Sequence, residues 1–341
     1  MTTPAAPHRT VDGVLAVLAG IPLDQAAGRL AMEPADLSDA VEVYQAAGEA
    51  ALDAQPAEGR WYQVHIEFPA WDGAEQTSAH HLGPRLQQLT PAVGSWWFIR
   101  KAPYWRLRCR PGPGGALADT RASVNAVLDS LTAAGPVRRW WETIYEPEVL
   151  AFGGPQGMEA AHDLFSADSS AILDYIRRRG DTGEAGRTLG RRELSVLLCS
   201  ALFHGAGQEW HEQGDIWHRV ASMRSLPADT PTHRLHDLTA SLRRLMTVDT
   251  GPDSPLFAAD RPLAFAAPWA TAFTTAGRSL GRAAHDGTVE RGLRDILAHH
   301  VIFHWNRLGL PGRTQAILAR AAHDTVMNPV SVPPGGSLPA S

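Results

Sequence analysis

The stretch WWFIRKAPYWRLRCR, residues 96–110, carries the side chains best suited to chemistry in this chain. Side chains alternate along an extended strand, so Tyr104, Arg106, Arg108 and Arg110 share one face while Trp105, Leu107 and Cys109 share the other. Neighbouring guanidiniums about 7 Å apart repel by roughly 2 kcal/mol per pair at an effective dielectric of about 20. Such a row is either solvated and paired with Glu67, Glu142 or Glu148 from adjoining strands, or it lines a pocket that polarises carbonyls and holds carboxylates. Spacing alone leaves both open. Trp96, Trp97, Trp105 and Trp269 could offer flat surfaces to a planar ligand or simply fill the core. Alternation puts Trp96 and Trp97 on opposite faces, so at most one of them enters a pocket with the arginines.

Other constellations are weaker. HHVIFHWNRLGL supplies His299, His300 and His304, but no glutamate lies between them as in H-E-x-x-H. His204, His211 and His218 recur at every seventh position, which marks a helix edge more readily than a ligand set. Cys109 and Cys199 form no C-x-x-C pair, and there is no G-x-S-x-G or Walker loop. No metal, nucleotide or redox cofactor is expected.

The elements that must position these residues follow from hydrophobic periodicity. WYQVHIEF, GSWWFIRK, YWRLRCR and VRRWWETIYEPE read as strands, with helices over 74–89 and 116–134 between them. The order β-α-β-β-α-β predicts an α+β chain with a ferredoxin-like antiparallel sheet and both crossover helices on one face. Residues 1–58 predict a helical N-terminal extension broken at Gly20-Ile21-Pro22 and Glu33-Pro34, and 59–154 the sheet region. Residues 155–328 predict a helical region packing on the sheet, with helices over 160–179, 190–204, 209–225, 233–246, 267–284 and 288–308; 329–341 is a turn-rich tail.

Composition excludes several classes of function. The chain has 341 residues, 44% hydrophobic and 20% charged, with a net charge of -5, so it has no global attraction to nucleic acid or an anionic membrane. A helix-turn-helix at 11–54 would be strongly acidic, which disfavours duplex binding, and YWRLRCRPG does not match the signature of single-stranded RNA modules. No apolar run approaches the roughly 18 residues of a membrane span, and the N-terminus lacks a signal-peptide pattern; a reducing cytoplasm is the expected compartment.

WYQVHIEF, the hairpin of 96–110, YEPEVLAFGG and HHVIFHWNRLGL together resemble the lantibiotic-dehydratase C-terminal, or thiopeptide-type bacteriocin biosynthesis, family over roughly residues 60–310. That resemblance implies one of two chemistries. In the first, glutamate is eliminated from glutamylated serine or threonine. In the second, stand-alone pyridine synthases join two dehydroalanines of a leader-bearing, azole-containing peptide by a formal (4+2) aza-cycloaddition, then lose water and the leader.

Eliminases of the family carry an arginine in Tyr-x-Pro-Glu-x-x-Arg-Tyr-Gly-Gly and a histidine at the start of His-Met-x-x-Asn-Arg-Leu. Here Ala151 and Ile302 stand at those positions, which favours the pyridine synthase. The resemblance implies catalytic roles for Tyr104, Arg106, Arg108 and His304, and substrate binding by Trp96, Arg100, Arg110, Trp269, Asn306 and Arg307. Its implied partners are the precursor peptide and other biosynthetic enzymes, with a dimer as an admissible assembly. Glutamate elimination and non-catalytic binding of the precursor are the alternatives.

Overall fold

Four runs of alternating character become β1 Tyr62–Glu67, β2 Ser95–Lys101, β3 Tyr104–Arg110 and β4 Arg139–Thr143 in the computed structural model, which describes residues 7–53, 61–181, 189–251 and 254–328. They form one antiparallel sheet in the order β2-β3-β1-β4. Two crossovers in a β-α-β-β-α-β chain produce this order, so the α+β, ferredoxin-like architecture expected from periodicity is observed. The first crossover holds α4 Ala74–Thr77, a π-turn Ser78–Leu82 and α5 Gly83–Gln87; the second holds α6 Leu117–Ala133. Thr120, Val124, Leu128 and Leu131 form the buried stripe of α6, with helical spacing that turns one face to the sheet.

Pairing register decides which residues share a face. Trp97 and Gln63 both lie opposite Arg108, and His65 lies opposite Arg106. The other face carries Val64, Ile66, Phe98, Trp105, Leu107 and Cys109, all buried. The β2 edge is covered rather than left as a free template: the Phe98 amide donates to Ser169 Oγ at 3.1 Å, from helix α7 Pro155–Asp181.

Beyond the sheet the chain is helical: α8 Arg191–Gly205, α9 Trp210–Met223, α10 Thr232–Met246, α11 Ala267–His285, α12 Leu293–Leu308 and α13 Gly312–Met327. α8 and α11 approach closely, and a Cβ on Gly277 would stand 2.2 Å from the Leu202 carbonyl. α12 begins after Gly292 rather than at 288. α13 is an addition to the expected set. Its buried face is Ala316, Leu318, Ala319, Ala322 and Val326, and the alanines give little hydrophobic contrast with the rest of the helix.

The sheet and these helices belong to one compact unit, Arg60–Ser341, while Met1–Gly59 forms a second. Within the second, α1 Pro7–Leu18, α2 Leu23–Leu30 and α3 Pro34–Asp53 enclose a small core of Val14, Ala26, Ala27 and Leu37. The breaks between these helices fall at the two proline-containing segments read from sequence. The tail 329–341 lies outside the described residues. No helix among the described residues is long and apolar enough to cross a membrane.

Candidate functional site

Arg108 sits mid-way along β3, an interior strand of the sheet, and only 3% of it is exposed. Gln63 Nε2 is committed to Thr143 Oγ1 at 2.7 Å and to the Ile144 carbonyl at 2.8 Å, which leaves its Oε1 to accept from Arg108 Nε at 2.6 Å. The guanidinium carbon lies 4.1 Å from the Trp97 ring centroid and 4.4 Å from that of Tyr145. Nη1 is buried without a partner.

The glutamates that might have neutralised this residue are engaged elsewhere: Glu67 with Arg138 and Arg139, Glu142 with Arg121. Glu148 acts on Arg108 only through its field. The solvated, glutamate-paired alternative therefore does not describe Arg108. Burial pushes its pKa down to about 10, which leaves it protonated at neutral pH and held by uncharged groups.

The neighbouring part of the same face is more open. Arg106 is partly exposed and, among the described residues, has no carboxylate within ion-pair distance. Its strand partner His65 stacks on Tyr104 with ring centroids 6.0 Å apart, and Trp141 lies edge-on to both at 5.4 and 4.7 Å. Partial burial, then Arg106 and Arg108, lower the His65 pKa, so its imidazole is neutral at neutral pH. A phenol, a neutral imidazole and an unneutralised cation thus share one surface. Arg110, at the end of the strand, turns to Glu159 and to Asp163 at 2.9 Å.

The remaining residues singled out from sequence fall into three other places. Trp96 lies on the opposite face of the sheet, in the core, and does not meet the arginines. Arg100 is also on that face; its guanidinium lies over Trp105 and pairs with Glu75, which Arg191 shares at 2.9 Å. Arg100 and Asn306 line a separate groove of about 450 Å³ with Trp71 and Trp105.

His304, Arg307 and Trp269 converge on buried Asp168 of α7. His304 Nδ1 is 2.9 Å from Oδ1, Arg307 Nε donates to Oδ2 at 2.7 Å, and Trp269 Nε1 donates to Oδ1 at 2.8 Å. His304 is 1% exposed and lies among Phe273 and Trp269, so the structure does not bring it together with Tyr104. Arg307 is coupled to the arginine strand at its back: its guanidinium is 4.2 Å from the Phe165 ring, which is 4.8 Å from Trp97.

One turn earlier on α12, His300 is buried with neither ring nitrogen hydrogen-bonded and lies 4.9 Å from the Phe152 ring. Burial, then Arg307, pushes its pKa from 6.5 to about 3. Between these values the unfolded chain takes up a proton that the folded one refuses, so stability is full above 6.5 and falls as pH drops, by about 1.4 kcal/mol per unit from this group. Thermal melts of a His300→Phe variant should show a shallower fall in Tm from pH 6 to pH 4 than the parent; an equal slope in both would contradict the assignment.

Gln63, His65, Tyr145 and Asp168 are residues around these side chains that sequence reasoning passed over. Strand alternation from Trp61 already places Gln63 and His65 on one face. Asp168 is legible as a carboxylate on the apolar stripe of a helix, between Phe165 and Ile172. Among the described residues no group of three or more His, Cys, Asp or Glu side chains gathers as a metal site.

A sequence profile of the family described as "Lantibiotic biosynthesis dehydratase C-term" matches residues 61–326. No curated protein matches the chain in sequence. Among solved structures, the tRNA-dependent lantibiotic dehydratase MibB from Microbispora sp. 107891 is similar with a TM-score of 0.59 at 20% identity, over 80% of this chain and 28% of its own. TsrL is similar at 0.54 and 15% identity, over 78% of this chain and 93% of its own. TbtD, a pyridine synthase from thiomuracin biosynthesis, is similar at 0.53 and 14% identity, over 79% and 98%. The chain thus spans little more than a quarter of MibB, and at these identities the likeness is one of fold.

Proposed function

The chain belongs to the lantibiotic biosynthesis dehydratase C-terminal family, and from that premise we propose that it is a pyridine synthase acting on a ribosomally made peptide. The reaction is the formal (4+2) aza-cycloaddition of two dehydroalanines in a leader-bearing, azole-containing precursor. Other biosynthetic enzymes supply that substrate. The observation that carries the reading is Arg108, a buried guanidinium whose charge no carboxylate cancels, on a face that also presents Arg106, Tyr104 and neutral His65.

Such a face suits amide activation better than glutamate removal. One dehydroalanine must react as the iminol tautomer of its amide, and the field of buried Arg108 together with the more exposed guanidinium of Arg106 would favour that tautomer. Holding both alkenes at near-attack distance supplies much of the remaining rate. Aromatisation then needs a proton on the departing hydroxyl, which leaves as water, and removal of a ring proton as the leader departs as a carboxamide. In this reading Tyr104 donates the first proton and His65, stacked beside it, accepts the second.

Arginine cannot serve in proton exchange, because its pKa is too high. Ala151 and Ile302 stand where glutamate-eliminating members carry arginine and histidine, and His304 is turned onto Asp168 instead of the strand face. In this reading His304 and Trp269 support the site through Asp168, and Arg307 backs it behind Phe165.

The test is to incubate the purified chain with a synthetic leader-bearing azole peptide containing two dehydroalanines and follow it by mass spectrometry. Loss of water and a leader carboxamide with appearance of a pyridine chromophore is expected. Loss of glutamate from a glutamylated analogue would make the chain an eliminase, and unchanged, co-purifying peptide would make it a binding protein.

A further inference from the structure

The geometry points to His162 and Glu159 as positioning residues that hold Arg108 still through Tyr145. This rests on the reading of Arg108 as the buried cation whose field polarises the substrate amide. Such a cation faces two demands: it must be fixed in orientation, yet a carboxylate holding it would cancel the field it exerts on an amide oxygen. Here the support is built from neutral groups. Gln63 is pinned by Thr143 and Ile144, and Trp97 is packed 4.8 Å from Phe165. Tyr145 closes the third side, and it belongs to the irregular segment after β4, which supplies no ladder of its own to fix the ring.

What fixes Tyr145 comes from α7. Its hydroxyl is 2.9 Å from His162 Nε2, and His162 is fully buried with its ring 4.6 Å from Trp61. With the phenol donating to Nε2, the imidazole proton sits on Nδ1, which is buried without a hydrogen-bond partner and lies 3.6 Å from Glu159 Oε2, beyond hydrogen-bond reach. Glu159 is itself paired with Arg110, and His162 and Arg110 together keep its carboxyl at about 2. The wall's carboxylate therefore lies behind an imidazole and is neutralised by a different arginine. The series Arg110, Glu159, His162, Tyr145, Arg108 ties two alternate residues of β3 to one helix while leaving the second of them unneutralised.

The experiment uses the full chain and the variants Tyr145→Phe, His162→Phe, His162→Gln and Glu159→Gln. Tyr145→Phe and His162→Phe should each lower kcat about tenfold, with KM within about twofold and Tm within about 3 °C. The double Tyr145→Phe, His162→Phe variant should be no slower than either single one, because both break the same link. His162→Gln, which keeps an acceptor for the phenol, should recover part of the loss. Glu159→Gln, at a half-exposed position that tolerates the change, should show a smaller effect of the same kind.

A second measurement needs no turnover. The Arg108 Nε–H resonance, assigned by its absence from Arg108→Met, should report slow guanidinium rotation in the parent and faster rotation in Tyr145→Phe. If the parent forms no pyridine but shows this change, the functional reading fails and the positioning role stands. Unchanged rotation in Tyr145→Phe overturns the positioning role, as does additive loss in the double variant or a Tm that falls in step with kcat.

Discussion

Arg108→Met is expected to lower kcat on the didehydroalanine peptide by about 10²–10³-fold, the cost of removing one preorganised positive charge from a site of developing negative charge, while leaving Tm within about 3 °C of the parent. The second half of the expectation follows from how the residue is held. Burial pushes its pKa down to about 10, a penalty of a few kcal/mol on the charged form. Methionine removes that penalty. It also forfeits cation–π contacts with two rings and a hydrogen bond to Gln63, losses of the same order that offset that gain. Lysine should not rescue activity, because a compact ammonium cannot lie flat between Trp97 and Tyr145 while donating to Gln63. Steady-state kinetics and thermal melts on the same preparations check both halves. A Tm loss of ten degrees with retained turnover would show that Arg108 is a structural strut.

Period-two alternation made the arginine strand legible before any coordinates, because a strand has only two faces and Leu107 and Cys109 cannot share one with Arg108. Alternation also separates Trp96 from Trp97, but it cannot say which belongs with the arginines. That choice is made by the hairpin register, which sets Trp97 against Arg108 and Trp96 against Cys109. The carboxylate partners were harder to read. Glu67 lies four positions along β1 from the Gln63 that faces Arg108 and pairs with Arg138 and Arg139, while Glu142 lies opposite Val64 on the other face and pairs with Arg121.

Long-range polar pairings carry no local signal at all. Asp168 meets His304 and Arg307 across more than a hundred positions, and only helix packing brings them together. His304 therefore looked available for proton transfer from its place beside Asn306, Arg307 and Leu308. Its i, i+3 relation to Arg307 instead puts both on the interior side of α12, where one carboxylate serves the pair.

Asp168 is where the largest loss of stability is expected. Burial alone would raise its carboxyl, but His304 and Arg307 outweigh that and hold it below the usual carboxylate value. A group with a depressed folded pKa stabilises the fold above its ordinary value, and that contribution is lost as pH falls through the lower one. Asp168→Leu leaves Arg307, which is 0% exposed, as an uncompensated interior charge, and leaves Trp269 without its acceptor. Breaking one side of a buried pair costs about 3–5 kcal/mol, or roughly 6–20 °C in Tm for a unit of this size.

The double variant Asp168→Leu, Arg307→Met separates charge from packing. If the single variant fails because a cation is stranded, removing that cation should return most of the lost Tm, since well-packed apolar replacements of buried pairs are often neutral. If the double variant is as unstable as Asp168→Leu, the carboxylate matters for Trp269 and His304 rather than for Arg307. Turnover gives an independent reading of the same pair. Arg307 backs Phe165, which packs on the Trp97 ring that holds Arg108, so the stabilised double variant should regain its fold yet remain slower than the parent.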